Sequence, residues 1–294
     1  MTASIKPILN ITAALALTAF FASCNQAAPI STAPSQAETQ AVSDAISSEL
    51  SASSGSLTLE SGLQTLSMSD AVSAQARPAC VSVNPDPVVD ADGDGVPDNA
   101  TYTFNCSLTR SLFTYSTTGT LQVSDPSSDA GTWGFNSTIN LTHSRTNSQN
   151  GNVLTEVRAG TRSPRKTGDS IVQSHNITIN RTLAGEPKSV ITNLWNLNFI
   201  ATTPGSIQMG ATLPAGSLSA SGNYTVARDG VTRTWTISTV SPLQYDPACD
   251  NDLKTVGGAL RATLSGVNGS GFFEIIFGAC GVAPVTTRSF TSAS

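Results

Sequence analysis

Charge is the scarcest property of this chain. Only 12% of its 294 residues are Asp, Glu, Lys or Arg, about half the share of an ordinary soluble protein. So little charge excludes the disordered class that stays open by self-repulsion. The 15 basic residues stand against 20 acidic ones, a formal charge of −5. The basic stripe that a nucleic acid would need is therefore missing, and no such partner is expected. Long apolar runs are missing too: hydrophobic residues make up 39% and mean hydropathy is −0.01, which excludes a polytopic membrane protein. Histidine occurs only at His143 and His175. There is no Gly-x-Ser-x-Gly elbow, His-Glu-x-x-His pair, phosphate loop or dinucleotide fingerprint. The chain is not expected to be an enzyme, and an extracytoplasmic hydrolase is the weakest of three functional readings.

What is abundant points to strands. Ser and Thr make up about a quarter of the chain, with 23 Gly and 15 Pro to break it into turns. From residue 79 onward the apolar pattern has period two. Ile171, Gln173, His175, Ile177 and Ile179 alternate with Val172, Ser174, Asn176, Thr178 and Asn180. Phe135, Ile139, Leu141 and His143 form a similar face, as do Ile191, Trp195, Leu197 and Phe199. Such alternation belongs to antiparallel sheets with one buried face. Residues 223–238 form the clearest hairpin, turning at Asp229-Gly230 and setting Tyr224 opposite Trp235 and Thr225 opposite Thr234. Further strands are expected at 102–106, 119–124, 152–158, 259–265 and 271–277.

Ahead of them, residues 36–50 place Ala41, Val42, Ala45, Ile46 and Leu50 on one helical face. A weaker helix candidate spans 61–74. The fold expected is mainly β: a large antiparallel meander sheet, a sandwich or an incomplete barrel of roughly ten strands, with one or two short N-terminal helices. Arg158, Arg162, Arg165 and Lys166 fall among Gly, Ser and Pro residues and read as a solvated loop between two strands, with an anion-binding hairpin tip as the alternative. Each histidine ends an apolar strand face and reads as a hydrogen-bonded residue at the core margin.

The N-terminus carries Lys6 and then an apolar run from Ile8 to Phe21, too short at about 14 residues for a permanent span. It ends in Phe21-Ala22-Ser23-Cys24, which resembles the lipobox of bacterial lipoproteins, although that family prefers Leu where Phe21 stands. The resemblance implies a signal peptide at 1–23 and lipidation of Cys24; composition then gives a flexible tether over 24–36, and the apolar periodicity a helical segment over 37–78 and a β domain over 79–294. The resemblance also implies attachment to a membrane through the lipid, at the outer membrane or cell surface.

Five cysteines are odd for an exported chain; lipidation of Cys24 leaves Cys80, Cys106, Cys249 and Cys280. Four cysteines allow three connectivities, and the local pairs Cys80–Cys106 and Cys249–Cys280 are expected. No Cys-x-x-Cys is present to suggest zinc.

The most specific motif is Asp90-Ala91-Asp92-Gly93-Asp94-Gly95-Val96-Pro97-Asp98. Asp90, Asp92, Asp94 and Asp98 with Gly95 reproduce the spacing of an EF-hand loop, and the Val96 carbonyl supplies a further oxygen. All donors are oxygens, so a structural calcium ion is expected. The twelfth position is Thr101 rather than Glu, and no flanking helix is expected. The loop resembles those of thrombospondin type 3 repeats. Residues 245–249 and 277–281 are loosely similar to uncharacterised secreted bacterial β proteins.

The function expected is a non-enzymatic, lipid-anchored envelope or surface protein with a binding or supporting role, its partner an apolar ligand or an envelope protein. The alternative is a carrier or chaperone for lipid or another apolar ligand. Lipoprotein-sorting proteins set helices over a curved, incomplete β barrel, and the order here, helices then strands, is similar. Nothing in the sequence sets an oligomeric state.

Overall fold

The computed structural model describes residues 34–54, 57, 79–127, 133–209, 211–249, 254–264 and 270–291. Cys24, the signal segment, most of the tether and the helix candidate at 61–74 lie outside them. Helix α1 (Gln36–Ser54) continues four residues past the 36–50 stretch read from the sequence. The Ser35 hydroxyl accepts the Glu38 amide at 3.1 Å and caps it. Val42, Ile46 and Leu50 are buried along one side.

Twelve strands follow. They are β1 (Val81–Asn84), β2 (Asn99–Arg110), β3 (Phe113–Ser124), β4 (Asn136–Asn147), β5 (Val153–Thr167) and β6 (Ser170–Leu183). Then come β7 (Glu186–Ala201), β8 (Gly216–Arg228), β9 (Val231–Tyr245), β10 (Thr255–Leu264), β11 (Ser270–Ile276) and β12 (Val285–Thr291). All belong to one antiparallel sheet in which chain order is spatial order, and β1 and β12 stand at its two ends rather than pairing into a barrel.

The hairpin at residues 223–238 forms as its sequence implies. Asp229 and Gly230 both have positive φ, 51° and 77°, as a type I′ turn requires. Tyr224 then faces Trp235, and Thr225 faces Thr234 with their hydroxyls 3.0 Å apart. An antiparallel meander sends alternate connections to opposite ends of the sheet. One end has tight turns such as 184–185 and 229–230; the other carries the acidic loop, residues 202–215 and both cysteines of the second disulfide.

One face of the sheet is buried, with Trp195, Trp235, Phe199, Phe273 and Leu141 among its largest side chains. The other is rich in Thr, Ser and Asn, cross-linked by contacts such as Ser174 to Asn196 at 3.1 Å, with Val172, Leu194 and Ile200 exposed among them. This explains how a chain so poor in charge stays wet: hydroxyls and amides replace ions. Gly222 lets the sheet bend where a side chain would block it. Its φ is 147°, and a Cβ there would sit 2.0 Å from the Leu194 carbonyl oxygen.

Both disulfides join the locally expected cysteines. Cys80–Cys106 ties the lead-in of β1 to β2, with Cα atoms 4.9 Å apart. Cys249–Cys280 ties the β9–β10 connection to the β11–β12 connection at 5.4 Å. Two such bridges mark a chain that matures in an oxidising, extracytoplasmic compartment. Among the described residues no helix is long and apolar enough to cross a membrane.

Candidate functional site

The acidic loop is the connection from β1 to β2. Each aspartate folds the backbone around itself. Asp90 Oδ1 accepts the Gly93 amide at 2.8 Å and its Oδ2 accepts the Gly95 amide at 3.0 Å. Asp92 and Asp94 accept the amides two residues on, from Asp94 at 3.3 Å and Val96 at 2.7 Å. Asp98 clasps the loop by accepting the Ala91 amide at 3.0 Å. Gly95, at φ 92°, turns the chain where Met209 leaves no room: a Cβ would lie 3.2 Å from its Cγ. Val96 is fully buried and pins the loop to the core.

The result is convergence. Asp90, Asp92 and Asp94 each bring an oxygen within 4.8 Å of the others. Asp98 stays outside that trio as the clasp. Asp92 Oδ2 and Asp94 Oδ2 are covered and accept no hydrogen bond. Burial, then the charges of Asp92, Asp125 and Asp90, push the Asp94 carboxyl above the usual range, against the pull of the Val96 amide. Covered carboxylate oxygens without donors repel one another unless a proton or a cation lies between them. An all-oxygen set fits a hard cation.

Asp125 is the acidic neighbour that the motif does not reveal. Its amide reaches the Pro97 and Asp98 carbonyls at 3.0 and 3.3 Å. It arrives through the β2–β3 register, in which Asn99 faces Ser124, so no local spacing signals it.

The second polar cluster lies on the buried face of β3 to β9 and overturns a sequence expectation. Arg158, Arg162, Arg165 and Lys166 are not a solvated loop: β5 runs through all four. The turn-forming residues mislead because Gly160 serves close strand packing, with a would-be Cβ 2.0 Å from the Asn176 carbonyl oxygen. Arg158 and Arg162 point inward, opposite Leu141 and Ser137 of β4 and Ile179 and His175 of β6. Arg165 lies against the β4 lead-in and donates to the Phe135 carbonyl at 2.6 Å.

Arg158 donates to Glu49 of α1 at 2.8 Å and lies 3.6 Å from Glu156. Glu156 also accepts from Arg181 at 2.8 Å. Burial works against the Arg158 charge, but Glu49 and Glu156 outweigh it and raise its pKa. Burial would raise the Glu156 carboxyl; Arg181 and Arg158 prevail and hold it low.

The histidines do not meet. His143 faces Glu156 and His175 faces Arg162, which are separated by about 20 Å of β5. His143 Nδ1 bonds the Thr117 hydroxyl at 3.0 Å. His175 stacks obliquely near Trp195, with ring centroids 6.5 Å apart. Burial, then Arg158, lowers the His143 pKa, partly opposed by Glu156. Burial, then Arg162 and Arg158, drives that of His175 well below its ordinary value. Burial, more than the neighbouring cations, disfavours the charged form of His175.

No family model, curated protein or solved structure matches the chain.

Proposed function

We propose that this chain is a non-enzymatic envelope protein, lipid-anchored through Cys24, with a binding or supporting role and a structural calcium ion in the acidic loop. The observation that supports it best is the loop itself. Asp92 and Asp94 hold covered oxygens with no donor beside Asp90, on a connection closed at its base by Cys80–Cys106. Ion and disulfide together would brace one edge of the sheet.

Calcium that binds the folded state alone raises stability by mass action. With the affinity of extracellular modules, roughly 10⁻⁴–10⁻³ M, 10 mM calcium should add about 1.4–2.7 kcal/mol. For a domain of this size that is roughly 3–10 °C in melting temperature. Asp92→Ala combined with Asp94→Ala should abolish the rise and leave the β circular dichroism intact, and magnesium should substitute poorly. A wild-type protein whose melting ignores 10 mM calcium would reduce the loop to an acidic turn.

The anchor rests on the lipobox-like residues before Cys24. Metabolic labelling with a fatty acid should mark the wild type and not Cys24→Ser. An unlabelled wild type beginning elsewhere refutes the anchor.

A second reading, a carrier for an apolar ligand, is favoured by the position of α1. Glu49 reaches Arg158 on β5, Glu38 reaches Arg233 on β9, and Ser43 lies 2.8 Å from Thr286 on β12. In a flat sheet β5 and β12 would stand about 34 Å apart, yet Ser43 and Glu49 are separated by about 9 Å of helix. These contacts support a sheet that curls around α1, an incomplete barrel in place of a sandwich. A helix laid inside a curled sheet is the layout a carrier needs.

A further inference from the structure

Arg162 is a buried cation without a counter-ion of its own. It is 7% exposed, its Nε has no hydrogen-bond partner, and no carboxylate lies at salt-bridge distance among the described residues. The negative charge it senses is Glu49, already engaged by Arg158 at 2.8 Å. Along β5 and β6 on this face three guanidinium groups, of Arg158, Arg162 and Arg181, meet two carboxylates, of Glu49 and Glu156. One positive charge is left over, in a setting where an unpaired charge is costly. Burial and the neighbouring Arg158 depress its pKa to about 10, so it remains charged at pH 7.

The atoms around it have the same bias. Arg162 stands opposite His175, and His175 opposite Trp195; one row along the same face, Asn193 stands opposite Tyr224, and Tyr224 opposite Trp235. The indole N–H groups of Trp195 and Trp235 and both amide atoms of Asn193 are covered and make no hydrogen bond. Donors outnumber acceptors, and the rest of the surface is apolar, with Ile177, Ile237 and Phe273 fully buried beside them. A donor-rich patch with one surplus cation and hydrocarbon walls is complementary to a single anionic head on an apolar tail. One free guanidinium suits a carboxylate, which its planar fork can take in a bidentate fashion. A phosphate dianion would need a second free cation, and Arg158 and Arg181 are committed to Glu49 and Glu156.

We propose that the inner face beneath α1 binds the carboxylate of a long-chain amphiphile, with Arg162 as its counter-ion and Asn193 and Trp195 as the nearest supporting donors. The inference rests on the carrier reading and gives that ligand its chemical class. Glu49 anchors α1 over Arg158 and within electrostatic reach of Arg162 and Tyr224.

The test uses the purified full-length chain with oleate and methyl oleate, each displacing a fluorescent fatty-acid probe. Oleate should bind about tenfold or more tighter than its ester, the scale of a charge-assisted hydrogen bond in a dry site. Arg162→Met should bring the two within about twofold by weakening oleate alone. Removing a buried charge that has no partner should also leave this variant melting no lower than wild type. In wild type, 9,10-dibromostearate should quench tryptophan emission, because two of the three tryptophans lie in the patch. Equal binding of oleate and ester, or an Arg162→Met variant that keeps the preference or melts far lower, overturns the carboxylate site while the carrier reading stands. Failure of acid, ester and brominated acid alike to bind wild type refutes both.

Discussion

Replacing Glu49 by leucine is expected to cost the fold about 3 kcal/mol, the low end for breaking one side of a buried ion pair. Glu49 is 7% exposed and accepts from Arg158 at 2.8 Å. Without it the Arg158 guanidinium stays buried and keeps only Glu156, at 3.6 Å and shared with Arg181. The loss is thus smaller than for an orphaned charge, and larger than for any surface pair. In urea the midpoint should fall by roughly 1 M or more. Glu49→Leu with Arg158→Met should recover most of the loss, because removing both charges also removes the cost of burying them. Glu38 supplies the control. Its pair with Arg233 is made by a carboxylate that is 37% exposed, and Glu38→Ala should cost less than about 1 kcal/mol. A Glu49→Leu loss as small as that would mean that α1 does not dock through Arg158.

The same residues show what a sequence can carry. Ile171, Gln173, His175, Ile177 and Ile179 are all buried on β6, as their alternation implies, because period two is imposed by the strand alone. The register of β8 on β9 follows from the two residues Asp229 and Gly230 as far as Ser221 opposite Ser238, beyond which an irregularity shifts it. The three clustered aspartates are similarly local, since their oxygens converge through bonds to amides two to five residues away. Arg158 and Arg162 fail the same reading for a physical reason. Gly160, Ser163 and Pro164 signal a turn in isolation, whereas the inward aim of both arginines is set by register with β4 and β6. Asp125 is hidden in the same way. Partner choice across strands, and the carboxylate that α1 sends to Arg158, are long-range properties that no window of sequence contains. Of the terminal strands, β1 is missed for brevity, with four residues, and β12 because Val285-Thr286-Thr287-Arg288-Ser289-Phe290-Thr291 has too few apolar residues for alternation to stand out.

Removing both disulfides should be the most damaging change of all. The bridges close loops of 26 and 31 residues, for which the chain-entropy relation gives about 3.5 and 3.7 kcal/mol. They brace different parts of the strand order, β1 on β2 and the connections flanking β10 and β11. Distant sites add, so Cys→Ala at all four positions should cost about 7 kcal/mol. Typical domains have 5–15 kcal/mol in total, so the quadruple variant should unfold at or near 37 °C. The two pairs should also fail differently. Cys80 precedes a four-residue strand that pairs only with β2, and its bridge spans the acidic loop. Cys80→Ala with Cys106→Ala should therefore fray that edge and weaken the calcium response. Cys249 is 1% exposed and its bridge does not enclose the loop, so Cys249→Ala with Cys280→Ala should lose stability and keep its response to calcium. Urea denaturation with and without calcium reads both effects. A quadruple variant within about 3 kcal/mol of wild type would mean that the bridges add little to a sheet already held by its pairing and core. Equal loss of the calcium response in both double variants would mean that the loop depends on the fold as a whole rather than on the bridge at its base.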